Sequence, residues 1–284
     1  MAVRRYGGKT VGVAAAVLLT ALPPFRLTAQ SRDILLATTT STRDAGLLDS
    51  LLPIFERQTG YRVKVIAVGS GQALALGRRG DADVVLSHAP EAERVLVDSG
   101  YFVSRRLVMH NDFLVVGPRD DPAGLRGMTD AVAAFRKLAQ QEGRFVSRGD
   151  QSGTHQRERA FWRRAGVSPP GAGSWYIESG QGMGETLQMA DQKHAYTLTD
   201  RATYLAWRDK VQLAPLVEGD PGLYNVYHVL ELNPRNAARV NLAGGKALAD
   251  FLVAPETQAL IGQFGRSRFG QSLFVPDAGK EDRW

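Results

Sequence analysis

Residues 33–55 read DILLATTTSTRDAGLLDSLLPIF. Asp33–Thr38 is a short apolar strand, and Thr38-Thr39-Thr40-Ser41-Thr42 follows as five consecutive hydroxyls. Leu47, Leu48, Leu51, Leu52 and Phe55 then recur at helical spacing, with Gly60 as the stop. Pro53 lies inside this pattern and removes one helical hydrogen bond. This strand, polar turn and helix form the unit on which the fold turns, and it repeats outward. Tyr61–Val68 is a second strand, followed by a glycine-serine turn and a helix from Gln72. Val84–Ser87 is a third strand and Pro90–Ser99 its helix. The alternation predicts an α/β fold with a mostly parallel sheet covered by helices.

Phe113–Gly117 is another strand, and it ends in Pro118 and the polar loop Arg119–Gly127. A new unit begins after it. Thr129–Gln141, Gly153–Ala165, Met183–Ala190 and Asp200–Arg208 read as helices, and Arg144–Ser147 and His194–Leu198 as strands. A β-rich stretch, Tyr224–Leu232, follows Gly219-Asp220-Pro221-Gly222, and helices at about Ala237–Val253 and Pro255–Phe264 finish the chain. Two α/β units joined near Gly117 and near Gly219–Gly222 imply a two-lobed molecule. Lobe one comprises residues 31–115 and 222–284, and lobe two residues 116–221. A ligand would lie in the cleft, under a hinge motion that closes over it.

Composition narrows the function. The chain has 284 residues, 44% hydrophobic and 23% charged, which is too apolar for a disordered segment. It has no cysteine, which excludes a disulfide scaffold, a cysteine nucleophile, a thiolate metal site and a lipid-anchored cysteine. Residues 1–29 read as a secretory signal peptide. Arg4, Arg5 and Lys9 are the basic start, Val11–Leu22 an uncharged core too short to span a bilayer, and Leu27-Thr28-Ala29 the cleavage context. The residues after Arg4-Arg5 do not continue a twin-arginine signal, so the general secretory route is favoured. The leader holds Arg4, Arg5, Lys9 and Arg26 and no acid, so removing it takes the formal charge from +6 to +2. That is too weak a positive charge for a nucleic-acid-binding surface. The mature protein is expected to be soluble and periplasmic.

Several strand-to-helix turns offer neutral donors. Thr38–Thr42 is either an ordinary N-cap or an anion cradle, because orphan N–H groups at a helix start attract negative charge. Gly69-Ser70-Gly71-Gln72 is a second turn of the same kind, without the lysine of a phosphate-binding P-loop. Ser147-Arg148-Gly149-Asp150-Gln151-Ser152-Gly153-Thr154-His155 combines a guanidinium, two hydroxyls and a glycine at a helix start. Arg148 can grip an oxyanion with two parallel hydrogen bonds, and Gly153 permits close approach of the backbone. Asp150 is placed behind Arg148 to orient it. Ser179-Gly180-Gln181-Gly182-Met183-Gly184 reads equally as a flexible turn or as exposed amides. The shared chemistry is donation to a small acceptor-rich anion at the strand ends of an α/β sheet.

Taken together, the Thr38–Thr42 segment, VIAVGSGQAL at 65–74, NDFLVVGP at 111–118 and SRGDQSGTH at 147–155 resemble the tungstate-binding proteins of tungstate ABC transporters. The resemblance runs from about Ile34 to Pro276. It implies a type II periplasmic binding fold, and a membrane permease and an ATPase as partners. It places the ligand on Thr39, Thr40, Ser41, Ser70, Arg148, Ser152, Gly153, Thr154, Gly182 and Met183. The turn Arg148–Thr154 also matches the R-x-D-x-S-G-T of phosphate-binding proteins. Those proteins carry an acid in an S-D-A-P-like turn, which accepts the proton of phosphate. Here the turn reads Ser87-His88-Ala89-Pro90, which leans toward a fully deprotonated dianion such as tungstate or molybdate. Sulfate stays open on this ground. No cofactor and no catalytic residue are implied, and the binding protein is expected to be a monomer.

Two rivals come from other classes. A secreted serine hydrolase would use Ser152, His155 and Glu158, three residues apart on one helix, but no G-x-S-x-G elbow is present. A metal-binding module would use His88, His110, His155, His194 and His228, which are scattered without metal-ligand spacing. Mass spectrometry of the exported protein is expected to show a chain that has lost its leader, with Ala29 as the last residue removed, within a few positions. A full-length chain retained in the cytoplasm would contradict the leader.

Overall fold

The computed structural model describes residues 1–2, 7–8, 31–150, 152–168, 175–236 and 239–283. Contacts separate residues 1–30 from a compact unit of residues 31–284, and the fold is that of the second unit. The expected leader and its cleavage site at Ala29 lie outside the described residues, apart from residues 1–2 and 7–8. Among the described residues, no helix is long and apolar enough to cross a membrane.

β1 (Asp33–Thr39) leads into the short α1 (Thr40–Asp44) and then α2 (Leu47–Thr59). α2 runs through Pro53 because its buried face, Leu47, Leu48, Leu51, Leu52 and Phe55, holds it against the sheet. β2 (Arg62–Val68), α3 (Ser70–Arg79), β3 (Val84–Ser87) and α4 (Pro90–Asp98) complete the first run. β4 then extends over sixteen residues, Phe102–Gly117. α5 (Ala131–Gln140), β5 (Phe145–Ser147), α6 (Gly153–Arg164), β6 (Tyr176–Glu178), α7 (Met183–Gln192), β7 (Thr197–Asp200), α8 (Arg201–Trp207) and β8 (Ala214–Val217) follow. The chain closes with β9 (Tyr224–Leu232), α9 (Leu242–Val253), α10 (Pro255–Gln263), α11 (Arg266–Phe269) and β10 (Val275–Pro276). Ala237, expected to open the last long helix, lies outside the described residues.

The main sheet runs β10-β4-β9-β3-β1-β2, with β7 and β8 paired to the end of β4. β1 is parallel to β2 and β3, and β5 is parallel to β6. The expectation of a mostly parallel sheet is corrected by β9, which is antiparallel to β3 and β4, and by β7, β8 and β10, all antiparallel to β4. β4 serves two pairings. Its Phe102–Asp112 part runs beside β9, and its Phe113–Gly117 part runs beside β7 and β8. The sequence reading found only the second part. The first is dense in charge, and those charges are neutralised in place: Arg105 pairs with Glu93, Arg106 with Glu231 and Asp250, His110 with Asp277, and Asp112 with Arg201.

Alternation along the strands sends neighbours to opposite faces. Leu36 and Leu86 join Leu51, Phe55 and Leu248 on one face. Ala37 and Val85 join Leu74, Phe102 and Leu230 on the other. A separate cluster around Phe135, Phe145, Phe161, Trp162 and Tyr196 holds α5, α6 and β5. α9 packs so closely on β3 that a Cβ at Gly245 would stand 2.4 Å from the Asp83 carbonyl oxygen. Backbone cannot yield as a side chain does. Gly245→Ala is therefore expected to lower the urea midpoint at unchanged m-value, by about 1–3 kcal/mol of stability.

Candidate functional site

The strand-end turns of α1, α3 and α6 meet around a small cavity of about 60 Å³. That is far below the several hundred Å³ of pockets for organic ligands. Thr39 and Thr40 line it from the β1–α1 junction, Gly69 and Ser70 from the start of α3, and Arg148, Ser152, Gly153 and Thr154 from the start of α6. α3 and α6 are ten and twelve residues long, and both open toward the cavity, so their positive dipole ends face it.

The five-hydroxyl run divides its work. The Thr38 hydroxyl donates to the Leu86 carbonyl at 2.9 Å and so belongs to the sheet. Thr39 Oγ1 lies 2.6 Å from Thr42 Oγ1 and 3.1 Å from His88 Nε2. Thr40 is exposed and opens α1. The Ser41 side chain lies outside what is described.

Arg148 is set by its turn. Gly149 adopts φ +63°, and a Cβ there would stand 2.8 Å from Glu178 Cβ, so the turn requires glycine. The Gly149 amide donates to the Ser147 hydroxyl, which donates at 2.7 Å to Glu158. Glu158 also accepts from Trp162 Nε1 and the Tyr176 hydroxyl, and burial pushes its carboxyl up to about 7. Arg148 Nη2 donates to Asp150 at 2.5 Å, and Asp150 also accepts from the Ser152 amide at 3.1 Å. Burial raises the Asp150 carboxyl, but Ser152 and the Arg148 guanidinium outweigh it and hold the group below the ordinary range. Asp150 does not line the cavity, whereas Arg148 does, and Arg148 Nε is buried with no hydrogen-bond partner. Gln151 lies outside the described residues.

Gly182 and Met183 are not brought to this cavity. They line an adjoining one of about 910 Å³, which Thr40 and Arg148 also border. The small cavity holds residues the sequence reading left out: Asn111, Asn225, Tyr227 and Asp200. Asn111 and Asn225 are register partners on β4 and β9. Asn111, just before the apolar run Phe113–Gly117, and Asn225, just before Val226–Leu232, were the available signal, since an amide that becomes buried needs partners. The Asn225 amide donates to the Tyr227 hydroxyl at 2.9 Å. Asn111 Oδ1 is unpartnered, and a half-turn of its amide offers a donor instead. The Asp200 oxygens accept from the Thr203 amide and hydroxyl at 2.8 and 2.7 Å, which caps α8.

The same geometry separates the hydrolase and metal constellations. Ser152 Oγ accepts from the His155 amide as the cap of α6, and Glu158 serves Ser147, Trp162 and Tyr176. His110 meets Asp277, His194 meets Asp120 and His228 meets Glu93, and among the described residues no three His, Asp or Glu side chains gather as a metal site.

A profile described as a PBP superfamily domain matches residues 26–256. The tungstate-binding protein TupA of Peptoclostridium acidaminophilum is 45% identical over 249 residues, covering 87% of this chain and 86% of that protein. The solved structure of the tungstate-binding protein TupA from Desulfovibrio alaskensis G20 superposes with a TM-score of 0.79 at 41% identity, over 87% of this chain and 99% of that one. A structure described as the tungstate ABC transporter from Geobacter sulfurreducens gives 0.70 at 45% identity, over 82% and 98%.

His88 carries a prediction of its own. Burial holds its imidazole down to about 4 from an ordinary 6.5, with Glu93 opposing and Arg157 adding to the effect. Between those values the unfolded chain takes up a proton that the folded chain refuses, so stability falls as pH falls through that window. His88→Gln lacks this loss. Between pH 7 and 4.5 the parent is expected to lose about 2 kcal/mol more than the variant in paired urea titrations.

Proposed function

We infer function from kinship first: the chain belongs to the tungstate-binding-protein family, within the PBP superfamily. It captures a tetrahedral oxyanion dianion, tungstate foremost and molybdate as its nearest competitor, and delivers it to an ABC permease and its ATPase. The observation that carries this reading is Arg148, which lines a cavity of ion size and keeps its Nε buried without a hydrogen-bond partner. Leaving such a donor unmade costs on the order of 1–3 kcal/mol, which an incoming anion restores.

The remaining donors are neutral. Thr39, Thr40 and Ser41 donate from the first turn, Ser70 from the second, and Ser152, Gly153 and Thr154 from the third. Asp150 orients Arg148 from behind. Gly182 and Met183 belong at the mouth of the larger cavity rather than on the anion. Hydrogen phosphate needs an acceptor for its proton. His88 is neutral in the working range and bound to Thr39, and Asp200, the carboxylate of the cavity wall, has both oxygens engaged by Thr203. The histidine in place of an acid in the Ser87–Pro90 turn is what leans the site toward ligands that carry no proton.

We place residues 31–115 and 222–284 in lobe one and residues 116–221 in lobe two. The change of β4 from β9 to β7 and β8 beyond Asp112 supports this division. The protein works as a monomeric binding protein without catalysis, exported to the periplasm by the leader at 1–29. Calorimetric titration with tungstate, molybdate, sulfate and phosphate in parallel is expected to rank the first two far above the last. Arg148→Ala should weaken tungstate binding by about 30-fold to several thousand-fold. Arg148→Lys should lose part of that, because a point charge does not reproduce the planar fork, and Asp150→Asn less again. Tungstate binding by Arg148→Ala as tight as the parent's would overturn the site.

A further inference from the structure

The small cavity has two neighbours that share no lining residue. The larger one borders it through Thr40, Ala45, Arg148 and Asp200. A second, of about 490 Å³, borders it through Ser70, His88, Phe113, Gly153 and Asn225. Their charges differ in sign. Apart from Arg148 itself, the charged residues lining the larger cavity are Asp44, Glu185, Asp200 and Arg268. The other is lined by Arg94, Arg157 and Arg163 against one carboxylate, Glu91.

Arg157 is the inner cation of this second chamber. It sits half-buried on α6, and its Nη2 donates to the Tyr224 carbonyl at 3.2 Å. Burial lowers its pKa, and Glu91 is the acid that opposes this from the chamber wall. Among the described residues, none of Arg94, Arg157 and Arg163 is in an ion pair, although arginines elsewhere in the fold are paired. Arg157 is thus partly drawn from water with no carboxylate in direct ion pairing, beside the exposed Arg94 and Arg163, and the three cations outnumber Glu91, an arrangement suited to an anion that arrives from outside.

We propose that the chamber lined by Arg94, Arg157 and Arg163 is the entry vestibule of the oxyanion, which pauses there hydrated before passing between Ser70, His88 and Gly153 to Arg148. The proposal rests on the small cavity being the oxyanion site. The passage is narrow in this structure. A Cβ at Gly153 would stand 3.1 Å from His88 Cε1 and 3.9 Å from Ser70 Oγ, so the start of α6 lies against both. Relaxation of that contact joins vestibule and site. The opposite mouth sets three carboxylates against Arg148 and Arg268, one of them, Asp44, already paired with Arg43, and so attracts a dianion less than the arginine chamber, which raises its local concentration.

Stopped-flow mixing of the mature protein with sodium tungstate, followed by tryptophan fluorescence, tests this. Arg157→Gln should lower kon by about 5–10-fold at low salt with koff unchanged, and the difference should shrink to about twofold at 0.5 M salt. Arg157→Lys, which keeps the charge, should retain the parent kon, and Arg268→Gln on the opposite cavity should leave kon unchanged. An unchanged kon in Arg157→Gln overturns the vestibule, as does a loss confined to koff, which would put Arg157 on the bound anion. A parent that binds tungstate but shows either of these leaves the oxyanion reading standing. A parent that binds no tungstate overturns both.

Discussion

Arg148 is a cation that the fold withdraws from water before any ligand arrives. Charges taken into the interior demand partners, and the chain supplies Asp150 for one nitrogen while leaving Nε unmatched. The surrounding architecture serves this arrangement. Gly149 turns the chain where another residue would collide with Glu178, and Ser147 ties the turn to Glu158. Glu158 is in turn fixed by Trp162 and Tyr176, members of or neighbours to the aromatic cluster that holds α5, α6 and β5. The guanidinium is thus pre-positioned by packing, and the ordering cost is met on folding rather than on binding.

The order of elements was legible because it depends on local periodicity. Leu36 and Ala37 pointing to opposite cores, and the buried stripe from Leu47 to Phe55, follow from the period of strand and helix alone. Chain direction in the sheet was not legible in the same way. β9 enters antiparallel between β3 and β4, a pairing across more than a hundred residues that no local pattern encodes. The first part of β4 was hidden by its own charges, whose partners Asp250 and Asp277 lie far along the chain. β7 begins at Thr197, later than the expected His194, because His194 takes a positive φ of 51° and closes a turn.

The cavity proposed as the site was legible to the same extent. Hydroxyls and glycines at helix starts announce themselves, and Thr39, Thr40, Ser70, Arg148, Ser152, Gly153 and Thr154 meet at one cavity. Asn111, Asn225 and Tyr227 reach it from the middle of β4 and β9, where only tertiary pairing reveals that they face an interior space. Gly182 and Met183 share the look of an anion turn, yet α7 directs them to the larger cavity.

A binding protein that hands its cargo to a transporter needs affinity that can be dismantled. Several cations around a dianion would give tight capture, but their attraction persists over the Debye length and would survive a partial separation of the walls. One guanidinium aided by short-range neutral donors behaves differently. In the proposed site, hydrogen bonds from Thr39, Ser70, Ser152 and Thr154 would lose their strength within about an ångström of displacement. These residues sit at the starts of different helices, so a motion that parts α6 from α3 would break several such bonds at once. The residual attraction is that of Arg148, already partly neutralised by Asp150 at 2.5 Å. On the proposed site, release would require only that the two sets of turns separate, with no group changing its protonation state.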